Sequence, residues 1–222
     1  MKKSKSKVKR ELEYIINEDE VIVAIIRNWI KPKHAINLHD RLCEKIDWIQ
    51  GQMNMYGKVI DIPRAMFFLG DDNIKTYTYS NLSFPVKSWH NSRKIYSDIE
   101  QIRNQIREDA TLQKISGATL KYDSCSLNYY RNGSDTIAAH SDKEALGPMN
   151  AVVTISLGGS RTFVLKSKTK GPNGRYPKIE TVLDNGDLVL MAGKCQELWT
   201  HSIPREDTYE SRISLTYRLL KT

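Results

Sequence analysis

Cysteine is scarce. Cys43, Cys125 and Cys195 lie far apart, and no Cys-x-x-Cys pair exists. That excludes a disulfide framework and argues against a cysteine-bound structural zinc. Long apolar runs are lacking too. The run VIVAIIRNWI at 21–30 is too short and too interrupted to cross a bilayer. The charged first ten residues are not followed by the apolar stretch of a signal peptide. Neither a glycine-rich phosphate loop nor an internal repeat occurs. Together these absences suggest a soluble protein of a reducing compartment with no membrane partner; the expected location is nuclear or cytoplasmic, and the expected state a monomer.

What is there suits one good-sized core. The chain has 222 residues, 40% hydrophobic and 27% charged, enough for a single domain. Its formal charge of +8 is unevenly spread. MKKSKSKVKR at 1–10 holds six basic residues and no acid, so the rest is nearly balanced. The expected organisation is a basic, disordered tail at 1–10 and one domain over 11–222. The tail reads equally as a nucleic-acid arm, a nuclear address or a plain solvated terminus.

Helical periodicity marks the N-terminal half. In INLHDRLCEKIDWI, Leu38, Leu42, Ile46 and Ile49 recur at helical spacing, with Asn37 placed to cap. In RKIYSDIEQIRNQIRED, Ile95, Ile99, Ile102 and Ile106 do the same. From residue 118 the period changes to two. TLKYDSCSLNYY, NAVVTISL, RTFVLKSK, KIETVL, GDLVLM and RISLTYRLL read as strands, separated by the turn signals RNGSD, LGGS, KGPNGRYP and DNGD. Short strands without helices between them predict an antiparallel sandwich or roll. The expectation is an α+β domain in which helices lead, a β core comes after them, and the helices brace one sheet.

The chemistry begins at LNYYRNGSDTIAAHSDKEAL. A period of two puts His140 and Asp142 on one side of an extended segment. One imidazole and one carboxylate make two-thirds of a facial triad, whose open positions suit non-haem Fe(II) oxygenases. His34, His39, His90 and His201 are the candidates for the third ligand. His201, in ELWTHSIP, is the one inside the β half. His-x-Asp alone is common by chance and is more often an ordinary hydrogen-bonded pair.

RISLTYR strengthens the case. Arg212, Ser214, Thr216 and Arg218 share one face, and Ile213, Leu215 and Tyr217 the other. The two arginines stand about 20 Å apart along the strand, and their side chains close that gap to the length of a small dicarboxylate. Arginine grips carboxylates in a two-pronged geometry. A solvated pair of cations on an edge strand is the competing reading. Asn128 and Tyr130, two apart, can hydrogen-bond the same acid, or form a buried polar pair.

The order Asn-x-Tyr, His-x-Asp, distant His, Arg-x5-Arg resembles the AlkB family of iron(II)- and 2-oxoglutarate-dependent dioxygenases. The resemblance runs from about HDRLCEKIDW to SLTYRLL and includes IPRAMFFLGDDNIKTYTYS and GDLVLMAGKCQELWTHSIP. It implies a double-stranded β-helix (jelly-roll) core, Fe(II) held by His140, Asp142 and His201, and 2-oxoglutarate held by Asn128, Tyr130, Arg212, Ser214 and Arg218. Arg212 is the implied partner of the distal carboxylate. The implied reaction is oxidative demethylation of methylated DNA or RNA, with O2 and 2-oxoglutarate consumed and an aldehyde released. Two departures stand out. Ser214 replaces an Asn frequent in related proteins, and Lys143-Glu144 replaces a frequent Asp-Glu.

The resemblance also points to a base pocket, since chemistry on a paired base requires taking it out of the stack. Tyr79 is the implied stacking ring opposite His140, with Tyr77 and Glu144 as hydrogen-bonding groups. In MYGKVIDIPR, Tyr56 matches the aromatic finger that fills the gap of a flipped base, and Arg64 and Lys58 could meet phosphates. Plain strand residues and a surface hairpin are the simpler readings of these two stretches. Three functions remain: demethylation of 1-methyladenine and 3-methylcytosine, nucleic-acid binding without catalysis, and action on a protein or lipid.

Overall fold

The computed structural model describes residues 10–18, 20–55, 57–79, 82–117, 120–142 and 151–220, without the side chains of Met55 and Tyr79. Tyr56, Glu144 and the ring of Tyr79, all expected at the substrate side, lie outside the described residues, as do Lys143 and residues 1–9 of the basic tail. Arg10, expected to belong to that tail, pairs with Asp109 at 3.2 Å and stacks on Trp29.

The chain opens with strands rather than helices. β1 (Glu11–Glu18) and β2 (Val21–Arg27) form a hairpin. Then come α1 (Pro32–Lys45), β3 (Ile49–Met55), β4 (Lys58–Gly70), β5 (Thr76–Tyr79), β6 (Leu82–Pro85), β7 (Lys87–Ser88), α2 (Lys94–Glu108) and α3 (Ala110–Ser116). The remainder is β8 (Ser124–Tyr130), β9 (Ile137–His140), β10 (Val152–Gly158), β11 (Arg161–Ser167), β12 (Lys178–Leu183), β13 (Leu188–Gly193), α4 (Cys195–Leu198), β14 (Trp199–Ile203) and β15 (Arg212–Arg218). The expectation of leading helices is thus corrected: helices and strands interleave. Continuous apolar runs such as VIVAIIR show no alternation because the strand is buried on both faces.

From β8 onward the chain passes back and forth between two sheets, with β11 and β12 a hairpin in the smaller one. The larger is ordered β1-β2-β13-β10-β15-β8-β4-β3 with β7 on β4, and the smaller is β12-β11-β14-β9. Strands β8, β15, β10 and β13 face β9, β14, β11 and β12, which is the jelly-roll arrangement. One apolar cluster fills the space between the sheets and includes Val23, Ile25, Val152, Phe163, Leu165, Val189, Met191 and Ile203.

A second cluster lies behind the large sheet, where Leu38 and Leu42 of α1 and Ile95, Ile99, Ile102 and Ile106 of α2 meet Val153, Ile155, Leu157, Ile213, Leu215 and Tyr217. The helices brace one sheet, as expected. α1 starts earlier than its apolar period suggests, because Pro32 takes the first turn. Asn37 lies inside it rather than at its cap. Among the described residues, no helix is long and apolar enough to cross a membrane.

Candidate active site

The alternation in β15 sets up the site. Odd positions Ile213, Leu215 and Tyr217 pack into the helix-covered cluster. Even positions Arg212, Ser214, Thr216 and Arg218 turn toward the small sheet, where all four line one cavity of about 600 Å³. Neither arginine is solvated: Arg212 is 1% exposed and Arg218 7%. The edge-strand reading fails because β15 lies between β10 and β8.

On the opposite wall, β9 and β14 bring two histidines together in register, His201 opposite His140. Their rings are 4.3 Å apart. His140 Nε2 lies 3.9 Å from Asp142 Oδ1, and His201 Nε2 lies 3.8 Å from Asp142 Oδ2. One ligand atom from each residue lies within 4.8 Å of the others, the only such group among the described residues. His140 Nδ1 is 2.9 Å from the Ala138 carbonyl. A carbonyl only accepts, so Nδ1 carries the proton and Nε2 presents its lone pair to the cluster.

The electrostatics agree. Burial pushes the His140 imidazole below its ordinary value, against the pull of Asp142. Burial, and then the neighbouring His140, push His201 down to about 3. Burial alone would raise the Asp142 carboxyl, but the Arg218 guanidinium and the two imidazoles hold it below the usual carboxylate range. At neutral pH the cluster is two neutral imidazoles and one carboxylate. Asp142 Oδ1 accepts from Arg218 Nη2 at 2.6 Å. Its Oδ2 is buried with no hydrogen-bond partner, and an orphaned anionic oxygen beside two neutral imidazoles fits a divalent cation. The backbone N–H of Asp142 donates to Gln196 Oε1 at 2.9 Å, and Ser141 Oγ donates to the Trp199 carbonyl at 3.1 Å. These bonds fix the segment that carries the carboxylate.

The far end of the cavity fits a second anion. Arg212 Nε donates to Ser156 Oγ at 2.8 Å, yet Nη1 is buried without a partner. Burial draws its pKa down, with the phenol of Tyr130 acting the other way, and the Tyr130 ring lies 5.3 Å from the guanidinium. A buried guanidinium with a spare donor is what a carboxylate would satisfy. Tyr130 sits opposite Arg212, and Asn128 opposite Ser214, on adjacent strands. Both line the cavity.

Two residues expected at the substrate side are buried. Arg64 is 3% exposed and donates to Asn128 Oδ1 at 2.7 Å. The Tyr77 hydroxyl accepts from Arg218 Nη1 at 2.9 Å, and the ring is 6% exposed at the cavity wall; its position ties it to Asp142 through Arg218. Sequence reasoning missed Ser156 and Gln196. Alternation in NAVVTISL puts Thr154 and Ser156 on the face opposite the apolar residues, a usable signal. Nothing in the sequence marks Gln196.

A family model for the 2OG-Fe(II) oxygenase superfamily matches residues 22–218. Human alpha-ketoglutarate-dependent dioxygenase alkB homolog 3 is 30% identical over 203 residues, covering 88% of this chain and 65% of its own length. Human DNA oxidative demethylase ALKBH2 is 28% identical over 192 residues, covering 83% of this chain and 68% of its own. The chain thus spans about two-thirds of the length of these relatives. The structure of OsALKBH1 superposes with a TM-score of 0.54 at 18% identity, over 92% of this chain and all of that one, and so shares the fold. Matched along nearly its whole length by the family model, and folded around an N/O triad facing a buried arginine, the chain belongs to the AlkB family of the 2OG-Fe(II) oxygenase superfamily, which uses Fe(II) and 2-oxoglutarate.

Proposed function

We propose that the protein oxidatively demethylates nucleobases, with 1-methyladenine and 3-methylcytosine in DNA or RNA as substrates. The observation that carries this is the shared cavity. A triad fit for Fe(II) and an arginine fit for a carboxylate line one space of about 600 Å³, which has room for 2-oxoglutarate and a flat ring together. The relatives named as dioxygenase and DNA oxidative demethylase support the reaction class.

Bound Fe(II) would supply oxygen activation coupled to the decarboxylation of 2-oxoglutarate to succinate. His140, Asp142 and His201 would hold the metal at the wall of the cavity that they line. Arg212, Asn128 and Tyr130 would orient the cosubstrate through its carboxylates. Arg218 keeps Asp142 ionised, so the carboxylate stays available as a ligand. Phe163 and Ile203 line the same space and give it an apolar wall. The methyl group is hydroxylated, and the hydroxymethyl base then loses formaldehyde, which restores the pairing edge.

Access from nucleic acid is supported by the β3–β4 hairpin. Gly57 at φ +79° permits its tight turn, and Val59 and Ile60 beside it are 68% and 37% exposed. Tyr56 would enter the gap of a flipped base, with Tyr79 stacking on the base and Glu144 facing its positive charge. The test is succinate and formaldehyde formation with Fe(II) and 2-oxoglutarate, on oligonucleotides with and without these methyl groups. Turnover of 2-oxoglutarate unaffected by every methylated strand would sink the substrate assignment. Absence of any turnover would leave a nucleic-acid-binding protein of the same fold. Tyr56→Ala should lower activity on a duplex several-fold more than on the same single strand; equal loss on both removes the finger.

A further inference from the structure

Arg64 is a buried cation in β4. It stands well inside β4, away from the exposed start of the hairpin. Nε donates to Asn128 Oδ1 at 2.7 Å, and Nη1 donates to the Thr136 carbonyl at 3.3 Å. A guanidinium only donates, so the Asn128 carbonyl end must face it and the Nδ2 donor end must face away. Asn128 lines the cavity next to Ser214, two residue pairs along from Arg212 and Tyr130 and on the same face.

The second bond reaches the metal side. Thr136 precedes β9, the strand that ends at His140. Its N–H donates to the Pro63 carbonyl at 2.8 Å, so residues 63 and 64 grip residue 136 from both sides. The Arg64 charge is also near enough to bear on His140.

We propose that Arg64 is a positioning residue for 2-oxoglutarate. It holds the Asn128 amide with its donor end toward the cosubstrate and ties that amide to the root of the strand carrying His140. The proposal rests on the reading of Asn128 as a cosubstrate contact. Arginine suits the role because its rigid fork serves two acceptors at once, whereas a lysine offers one point charge.

The test is the 2-oxoglutarate Kd of the Mn(II)-loaded protein, measured by calorimetry without turnover. Arg64→Met should weaken 2-oxoglutarate about tenfold, the worth of one hydrogen bond to a charged group, and leave Mn(II) affinity unchanged. Arg64→Lys should not restore it. In an Asn128→Ala background the added effect of Arg64→Met should fall within about twofold, because the two residues act as one unit. A full tenfold loss persisting in that background would overturn the proposal. So would an unchanged Kd for 2-oxoglutarate beside a raised KM for the methylated oligonucleotide, which would make Arg64 a substrate residue. If Asn128→Ala alone binds 2-oxoglutarate normally, the role of Asn128 falls first and this proposal with it. Should Arg64→Met fail to fold, Arg64→Lys carries the same comparison.

Discussion

Asp142 has two partners to satisfy: Oδ1 takes the Arg218 guanidinium, and Oδ2 is left for a cation. Asp142→Asn separates the two roles. The amide oxygen still accepts from Arg218, so the fold should survive, but the anionic ligand is gone. Mn(II) affinity should fall at least 100-fold and turnover with it, as measured by calorimetry and succinate release. Undiminished turnover would remove Asp142 from the metal site. Arg212→Lys tests the other end. It keeps the charge but loses the fork, so the apparent KM for 2-oxoglutarate should rise by about tenfold or more, and much more than that for the oligonucleotide. Equal effects on both would count against Arg212 as the carboxylate partner. These residues were legible because their types and spacing announce them: His-x-Asp on an extended segment, and arginines on the even positions of an alternating strand. The burial of Arg64 was not legible because it depends on β4 pairing with β8, and pairing is not written in a local window.

The elements were legible in proportion to their asymmetry. α2 has one apolar face, so Ile95, Ile99, Ile102 and Ile106 foretold it within a residue at each end. β12 and β15, alternating or nearly so, were equally plain. β2 was not, being apolar throughout, and β9 and β14 are too short for a period to show. The contact between α1 and α2 yields a pH prediction. Asp98 on α2 bonds Arg41 of α1 and Lys94 of its own helix. Burial would raise its carboxyl, but the bonds from Arg41 and Lys94 outweigh that and hold it below the ordinary value. A depressed carboxylate stabilises the fold above its unfolded pKa and loses that contribution as pH falls through the folded one. Asp98→Asn should therefore lower stability at pH 7 by about 1 kcal/mol, and the gap from wild type should begin to narrow below about pH 4 and close once the pH passes below the depressed folded value. A difference that stays undiminished as the pH is taken well below about 4 in denaturant titrations would show that the carboxylate charge is not its source.

The whole molecule is a helix-backed sheet with a polar floor, covered by a smaller sheet that brings the two histidines of the candidate metal site. That floor sits where a jelly roll would otherwise bury apolar side chains. Arg212 carries an orphaned donor there, and Asp142 an orphaned acceptor. Each costs stability in the free protein, since a buried polar atom without a partner has lost water and gained nothing. Ligands that supply the missing partners bind the folded state alone, so they stabilise it by mass action, about 2.7 kcal/mol at 100 times Kd. For a chain of this length that is roughly 5–10 °C in Tm. Mn(II) with 2-oxoglutarate should raise the wild-type Tm by such an amount. Arg212→Met should reverse the balance. It replaces a buried cation with an apolar side chain of similar length, a change that is often neutral or stabilising. Its Tm without ligand should match or exceed that of the wild type, while the further rise on adding 2-oxoglutarate to the Mn(II)-loaded protein disappears. A free variant several degrees less stable than the wild type would mean that Arg212, through Ser156 and the Tyr130 ring, holds the two sheets together rather than waiting for an anion. The same scan run by differential calorimetry decides between a site that strains its fold and one that supports it.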